Sequence, residues 1–153
     1  MIYVDKYISQ IGEIEIRCSE EKLLSLDFKN DVIVNNPGLT IFNQVKKWLD
    51  LYFKGQNQSL KIELELSGTP FQMKVWNLLM EIPYGTTTTY GAIAKKISPT
   101  MSSQAVGQAV GANPIAIIIP CHRVLGSNGK LGGYYYGPDK KKTLLKLENI
   151  SLK

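Results

Sequence analysis

The sequence predicts an α/β protein in two parts: a small N-terminal sheet with one helix, then a mainly helical half containing a helix-turn-helix. Three observations predict it. Polarity alternates along most of the first thirty residues, whereas helical spacing and glycine-rich connections take over from Thr69. The charge also changes sign: residues 1–68 hold eight Lys and Arg against ten Asp and Glu, and residues 69–153 hold ten against three.

In chain order, "IYVDKYI", "EIEIRCS" and "KLLSLDF" read as half-buried strands, with "SQIGE" and "EE" as the turns of a β-meander. Cys18, in the second strand, reads as a small buried thiol. Leu39, Phe42, Val45, Trp48, Leu49 and Tyr52 then recur at helical spacing, between "NNPG" and "KGQNQ", as a stripe that packs on the sheet. "LKIELELSG" is a further candidate strand. The boundary is expected near residues 66–70, giving domains 1–68 and 69–153.

"TPFQMKVWNLLMEI" opens with a capping Thr and a proline at the first helical position, and "PYGTTTTY" ends it. "YGAIAKKI", "SPTMS" and "SSQAVGQAVGAN" follow as two short helices and a brief joint, the order of a helix-turn-helix. The second helix carries Ala105, Gly107, Ala109, Gly111 and Ala112, although an interior glycine costs about 1 kcal/mol relative to alanine. Such a surface suits close approach, either by another helix or by a narrow DNA groove. Gln104, Gln108 and Asn113 are too few polar side chains for direct readout of a base sequence.

The chemistry concentrates at "IIIPCHRV". The run "NPIAIIIP" reads as a buried strand that Pro120 stops, placing Cys121 and His122 at a strand end. A thiol is nucleophilic as thiolate, which a nearby base or positive charge favours. His122 is the only imidazole in the chain, and Arg123 adds charge. Neighbours in extended chain face opposite ways, so a bridging water is expected between Cys121 and His122. A histidine in that role needs an orienting acceptor, and Glu148 is the candidate. A structural zinc would want four ligands, but Cys18, Cys121 and His122 are all the cysteine and histidine available. A cysteine peptidase would need a second, separately placed histidine.

A chain with 44% hydrophobic and 20% charged residues is an ordinary globular composition. It has no apolar run of about 18 residues, so no membrane span is expected. The N-terminus does not read as a secretory signal, and two cysteines suit a reducing cytoplasm. The basic second half points to a polyanion partner, although "PDKKK" alone reads as a solvated lysine surface.

"IPCHRV", with "GANP" upstream and "GGY" downstream, resembles the O6-alkylguanine-DNA alkyltransferases, also called methylated-DNA–protein-cysteine methyltransferases. The resemblance runs from "TPFQMKVWNLL" through "LLKLEN", and "PCHRV" is highly specific for that family. The N-terminal half matches only in pattern, as a ribonuclease-H-like lobe of one small sheet and a helix. The resemblance implies single-turnover DNA repair, in which Cys121 takes the alkyl group from O6-alkylguanine, with O4-alkylthymine a second candidate substrate. The protein is consumed in the transfer, and no cofactor or metal is required. It also implies a water between Cys121 and His122, with Glu148 behind His122. Asn113 would brace the turn before the active site, and Tyr90 would hydrogen-bond or protonate the leaving base and help rotate the 3′ phosphate. The Val124 carbonyl would read the guanine amino group, Tyr134 would pack on the flipped base, and the Tyr135 amide would donate to oxygen-6. The expected partner is double-stranded DNA, bound by a monomer through the minor groove, with Gln104, Ala105, Gly107, Gln108, Gly111 and Arg123 as the contact residues. Family members usually carry an arginine where this chain has Gln104, and the triplet Tyr134–Tyr136 is bulkier than most family loops. Two rivals keep the DNA and drop the chemistry: a lesion-recognition module without transfer, and a helix-turn-helix regulator.

Overall fold

A computed structural model describes residues 1–152. The chain divides into two units: residues 1–66 together with 114–116, and the remainder. Within the first, β1 (Tyr3–Ser9), β2 (Gly12–Cys18) and β3 (Lys22–Phe28) form the antiparallel meander, in register from Tyr3 opposite Cys18 to Ser9 opposite Gly12. Helix α1 (Thr40–Phe53) buries Ile41, Phe42, Val45, Leu49 and Tyr52. It packs on β1 and β2, where Ile14 and Ile16 are fully buried. Trp48, at the edge of the apolar stripe, instead stacks on Tyr52 and donates from its indole nitrogen to the Gln58 carbonyl at 2.8 Å.

The last expected strand shrinks to two residues, β4 (Glu63–Leu64), parallel to β3. The rest of that edge is completed from far along the chain. Leu26 donates its amide to the Pro114 carbonyl at 3.0 Å, and the Ala116 amide donates to the Leu26 carbonyl at 2.9 Å. Pairing the exposed edge in this way satisfies backbone groups that would otherwise invite another strand.

The second unit is helical. Helix α2 (Pro70–Met80) starts with a full capping box between Thr69 and Gln72 and buries Val75, Trp76 and Leu79. The Trp76 indole donates to the Ala109 carbonyl at 2.9 Å. Strand β5 (Thr88–Thr89) leads into α3 (Tyr90–Ile97), capped by Thr89. Helix α4 (Ser103–Gly111), capped by Ser102, completes the helix pair. Strand β6 (Val124–Leu125) pairs parallel with β5, and α5 (Pro138–Leu147) closes the unit.

The apolar run before Cys121 is buried, but it is not a strand. Only Ile115 makes a bridge, and turns follow. Ile117 has φ +68°, a left-handed conformation that a β-branched residue rarely adopts. Asn113 donates from its side-chain nitrogen to the Ile119 carbonyl at 2.8 Å, supplying the partner that a neighbouring strand would have given. Cys121–Arg123 is accordingly one turn of 3-10 helix rather than a strand end. A short apolar run records burial and not backbone shape.

Candidate active site

Cys121 is 5% exposed and lies in the wall of a cavity of about 320 Å³, within the range of small-molecule sites, roughly 300–1,000 Å³. Tyr90, Gly107, Val110, Gly111, Asn113 and Gly133 to Tyr136 form the rest of the lining. Helix α4 buries Val106, Ala109 and Val110 on one side. Its opposite side presents Gln104, Gly107, Gln108 and Gly111, of which the two glutamines are exposed and Ala105 beside them is half-buried. The glycines keep the cavity open. A Cβ on Gly107 would stand 3.9 Å from the Tyr90 ring, and one on Gly111 would project into empty space.

Burial pushes the Cys121 thiol above its ordinary range. The Asn113 side chain, the Lys141 charge and the Tyr134 hydroxyl work against that by stabilising the thiolate. His122 is fully buried, with Nε2 2.6 Å from Glu148 Oε2. Burial lowers its pKa, and the Glu148 carboxylate only partly restores it, so a neutral imidazole is favoured at pH 7. Burial also works to raise the Glu148 carboxyl, but hydrogen bonds from His122, Arg123 and the Gly85 amide hold it down at about 2. The Gly85 amide stands 3.0 Å from Oε1.

Arg123 departs from the expectation of a DNA contact. It is 9% exposed, donates from Nε to Glu148 Oε1 at 2.7 Å and from Nη1 to the Ile82 carbonyl at 2.8 Å, and lies over the Tyr84 ring. A guanidinium with two acceptors and an aromatic face at its own site is not presented to a phosphate. Its partner lies 25 residues further on, so nothing local announced it.

Tyr90 donates its hydroxyl to the Gly133 carbonyl at 3.2 Å. Tyr134 and Tyr136 meet edge-to-face with ring centroids 5.6 Å apart, and Tyr135 is 72% exposed at the rim. Val124 is fully buried and is not among the lining residues, and its carbonyl accepts from Lys141 Nζ at 2.6 Å. Lys141 overturns the reading of "PDKKK" as uniformly solvated. Lys142 is exposed, but Lys141 is fully buried, and its ammonium also donates to the Gly133 carbonyl at 2.9 Å. Helical phase could have singled it out, because Lys141 shares a face with Leu144 and Leu145. Among the described residues, no group of three or more His, Cys, Asp or Glu is placed to hold a metal ion.

Residues 2–66 match the family model for the ribonuclease-like domain of 6-O-methylguanine DNA methyltransferase, and residues 70–150 match the model for its DNA binding domain. The methylated-DNA–protein-cysteine methyltransferase of Methanosarcina acetivorans is 46% identical over 96% of this chain and 98% of its own length. Among solved structures, the Mycobacterium tuberculosis OGT in complex with DNA aligns with a TM-score of 0.85 at 41% identity, covering 94% of this chain and 90% of that one. The O6-methylguanine DNA methyltransferase of Methanococcus jannaschii aligns at 0.71 and 32% identity, covering 97% and 95%. With both domain models matched in order and a relative aligned along nearly its whole length, this chain belongs to the 6-O-methylguanine DNA methyltransferase family.

Proposed function

We propose that this protein is a methylated-DNA–protein-cysteine methyltransferase that repairs O6-alkylguanine in duplex DNA by a single transfer to Cys121. One observation carries the reading: the thiol lining the cavity is followed directly by an imidazole that is itself held by a buried carboxylate.

The target oxygen lies inside the base stack, so the nucleotide is extruded into the cavity, at a cost of a few kcal/mol. Glu148 accepts the Nε2–H of His122, which leaves Nδ1 as the basic atom. Through a water molecule, His122 takes the Cys121 proton. The sulfur attacks the alkyl carbon, the S–C bond forms as the C–O bond breaks, and the electron pair stays on guanine. The Tyr90 hydroxyl exchanges the Gly133 carbonyl for the leaving base and protonates it; the proton on His122 returns through water to the tyrosine. The product thioether is not readily reversed, so each molecule repairs one lesion. Gln104 and Gln108 on the exposed side of α4, with Ala105 beside them, meet the minor groove. Gly107 and Gly111 leave room there for the extruded base, and the tyrosines of residues 134–136 stack beside it.

The test is a duplex carrying one O6-methylguanine, followed by intact and peptide masses. A gain of one methyl confined to the Cys121 peptide, and absent from Cys121→Ser, is expected. Lesion-specific binding with no gain would instead identify a recognition module. Preference for a particular undamaged sequence would identify a regulator.

A further inference from the structure

Tyr135 is the only exposed aromatic side chain among the described residues, at 72% exposure. A large ring left in water forgoes the burial that aromatic side chains ordinarily supply. Its place in the fold is specific. The Gly137 amide donates to the Tyr134 carbonyl at 3.0 Å, closing a β-turn with Tyr135 and Tyr136 at its two corners. Such corners usually go to glycine, proline, asparagine, aspartate or serine, for reasons of backbone geometry. Backbone geometry does not call for two rings.

The turn is short and held on both sides. Tyr134 meets Tyr136 edge-to-face, and α5 starts directly after Gly137. The Tyr135 ring leans on the Tyr136 ring, with centroids 5.0 Å apart and planes 39° from parallel. The rest of it stands at the rim of the cavity that Gly107 and Gly111 of α4 also line. A tyrosine supported in this way is presented at low entropic cost, because it has only two side-chain torsions to fix.

A base that leaves the duplex forfeits its stacking, which is the main resistance to extrusion. Proteins that open duplex DNA offset such losses with side chains inserted at the disturbed step. On the open side of α4, Gln104 and Gln108 are exposed but bring no aromatic face. Tyr135 brings one, at the rim past which the base must move.

We propose that the Tyr135 ring stacks on the duplex at the step vacated by the lesion base and so lowers the cost of extrusion. The inference rests on extrusion of that base into this cavity. Ring area and not the hydroxyl carries the effect, since every base offers a face to stack on.

Single-turnover repair of one O6-methylguanine is measured in a duplex and in a single strand of the same sequence, where no paired step has to be opened. Protein is kept below saturation, so that the rate reports binding and extrusion together. Tyr135→Ala is expected to lower the duplex rate about tenfold more than the single-strand rate, the size of one lost base–aromatic contact. Tyr135→Phe should keep the wild-type ratio. Equal falls on both substrates would confine the ring to the extruded base and overturn the proposal. An unchanged duplex rate in Tyr135→Ala, or no rescue by phenylalanine, would overturn it as well. Alkylation of Cys121 by iodoacetamide, read on its own peptide, should proceed alike in all three proteins. A slower reaction in Tyr135→Ala would trace the loss to a disturbed acceptor and overturn the proposal too. Wild-type protein that accepts a methyl group from neither substrate would mark a different failure, that of the repair reading itself.

Discussion

Glu148 serves two buried partners at once, one carboxylate oxygen for His122 and the other for Arg123. Removing its charge therefore leaves a guanidinium buried without its counter-ion. Glu148→Gln is expected to lose about 3 kcal/mol or more at pH 7, measured by urea unfolding, as buried pairs do when one partner is removed. The pH dependence has a definite sign. The folded carboxyl is held at about 2 against an ordinary 4.5, so its stabilisation is complete above 4.5 and disappears as pH falls through 2. The wild type should then lose its advantage over Glu148→Gln across that window. Gly132 offers a second test at this scale. Its φ is +71°, and a Cβ there would lie 3.1 Å from the Gly126 nitrogen and 3.3 Å from the Tyr90 ring. Gly132→Ala is expected to displace Tyr90 and slow repair at least tenfold, in single-turnover kinetics on the lesion duplex, without loss of DNA affinity.

Helix α2 shows how an element is specified by local chemistry. Thr69→Ala removes the hydroxyl that accepts from the Gln72 amide at 3.1 Å, and a loss of about 1 kcal/mol in thermal or urea unfolding is expected. Its start was legible because the capping Thr and the first-turn proline are both local signals. The strands β1–β3 and helix α1 were legible for a similar reason, since alternation and helical spacing directly encode which face is buried. Residues 114–120 were not. Their hydrogen-bond partners are Leu26, some ninety residues earlier, and the Asn113 side chain, so composition revealed burial and concealed the turn. The candidate site divides the same way. Cys121, His122 and Glu148 could be assembled from residue type and the scarcity of alternatives, whereas Arg123, charged and expected outside, is buried by partners that no local pattern names, and Lys141 is marked only by its helical phase with Leu144 and Leu145. Helix α4 carries its own test in Gln104, the exposed second residue of the helix. Gln104→Arg adds a charge and a stacking plane there, and a faster repair rate and tighter lesion binding are expected; no increase would remove the idea that glutamine limits the extrahelical state.

For the molecule as a whole, the basic half sets how DNA affinity responds to salt. Each phosphate neutralised contributes a slope of about −0.9 in log affinity against log salt on duplex DNA, so binding to undamaged duplex should be steeply salt-dependent and nearly indifferent to sequence. Among the described residues, no helix is long and apolar enough to cross a membrane. The sheet edge at Leu26 has a consequence for inheritance. Three residues, Pro114–Ala116, belong to the first unit although they are encoded between α4 and Cys121. The gene for the sheet is thus split, with its last piece embedded in the gene for the chemistry. A recombination event that exchanged residues 1–66 for another sheet would succeed only if the newcomer presented an edge able to receive that embedded piece, so the two halves are expected to be inherited and to diverge as a pair.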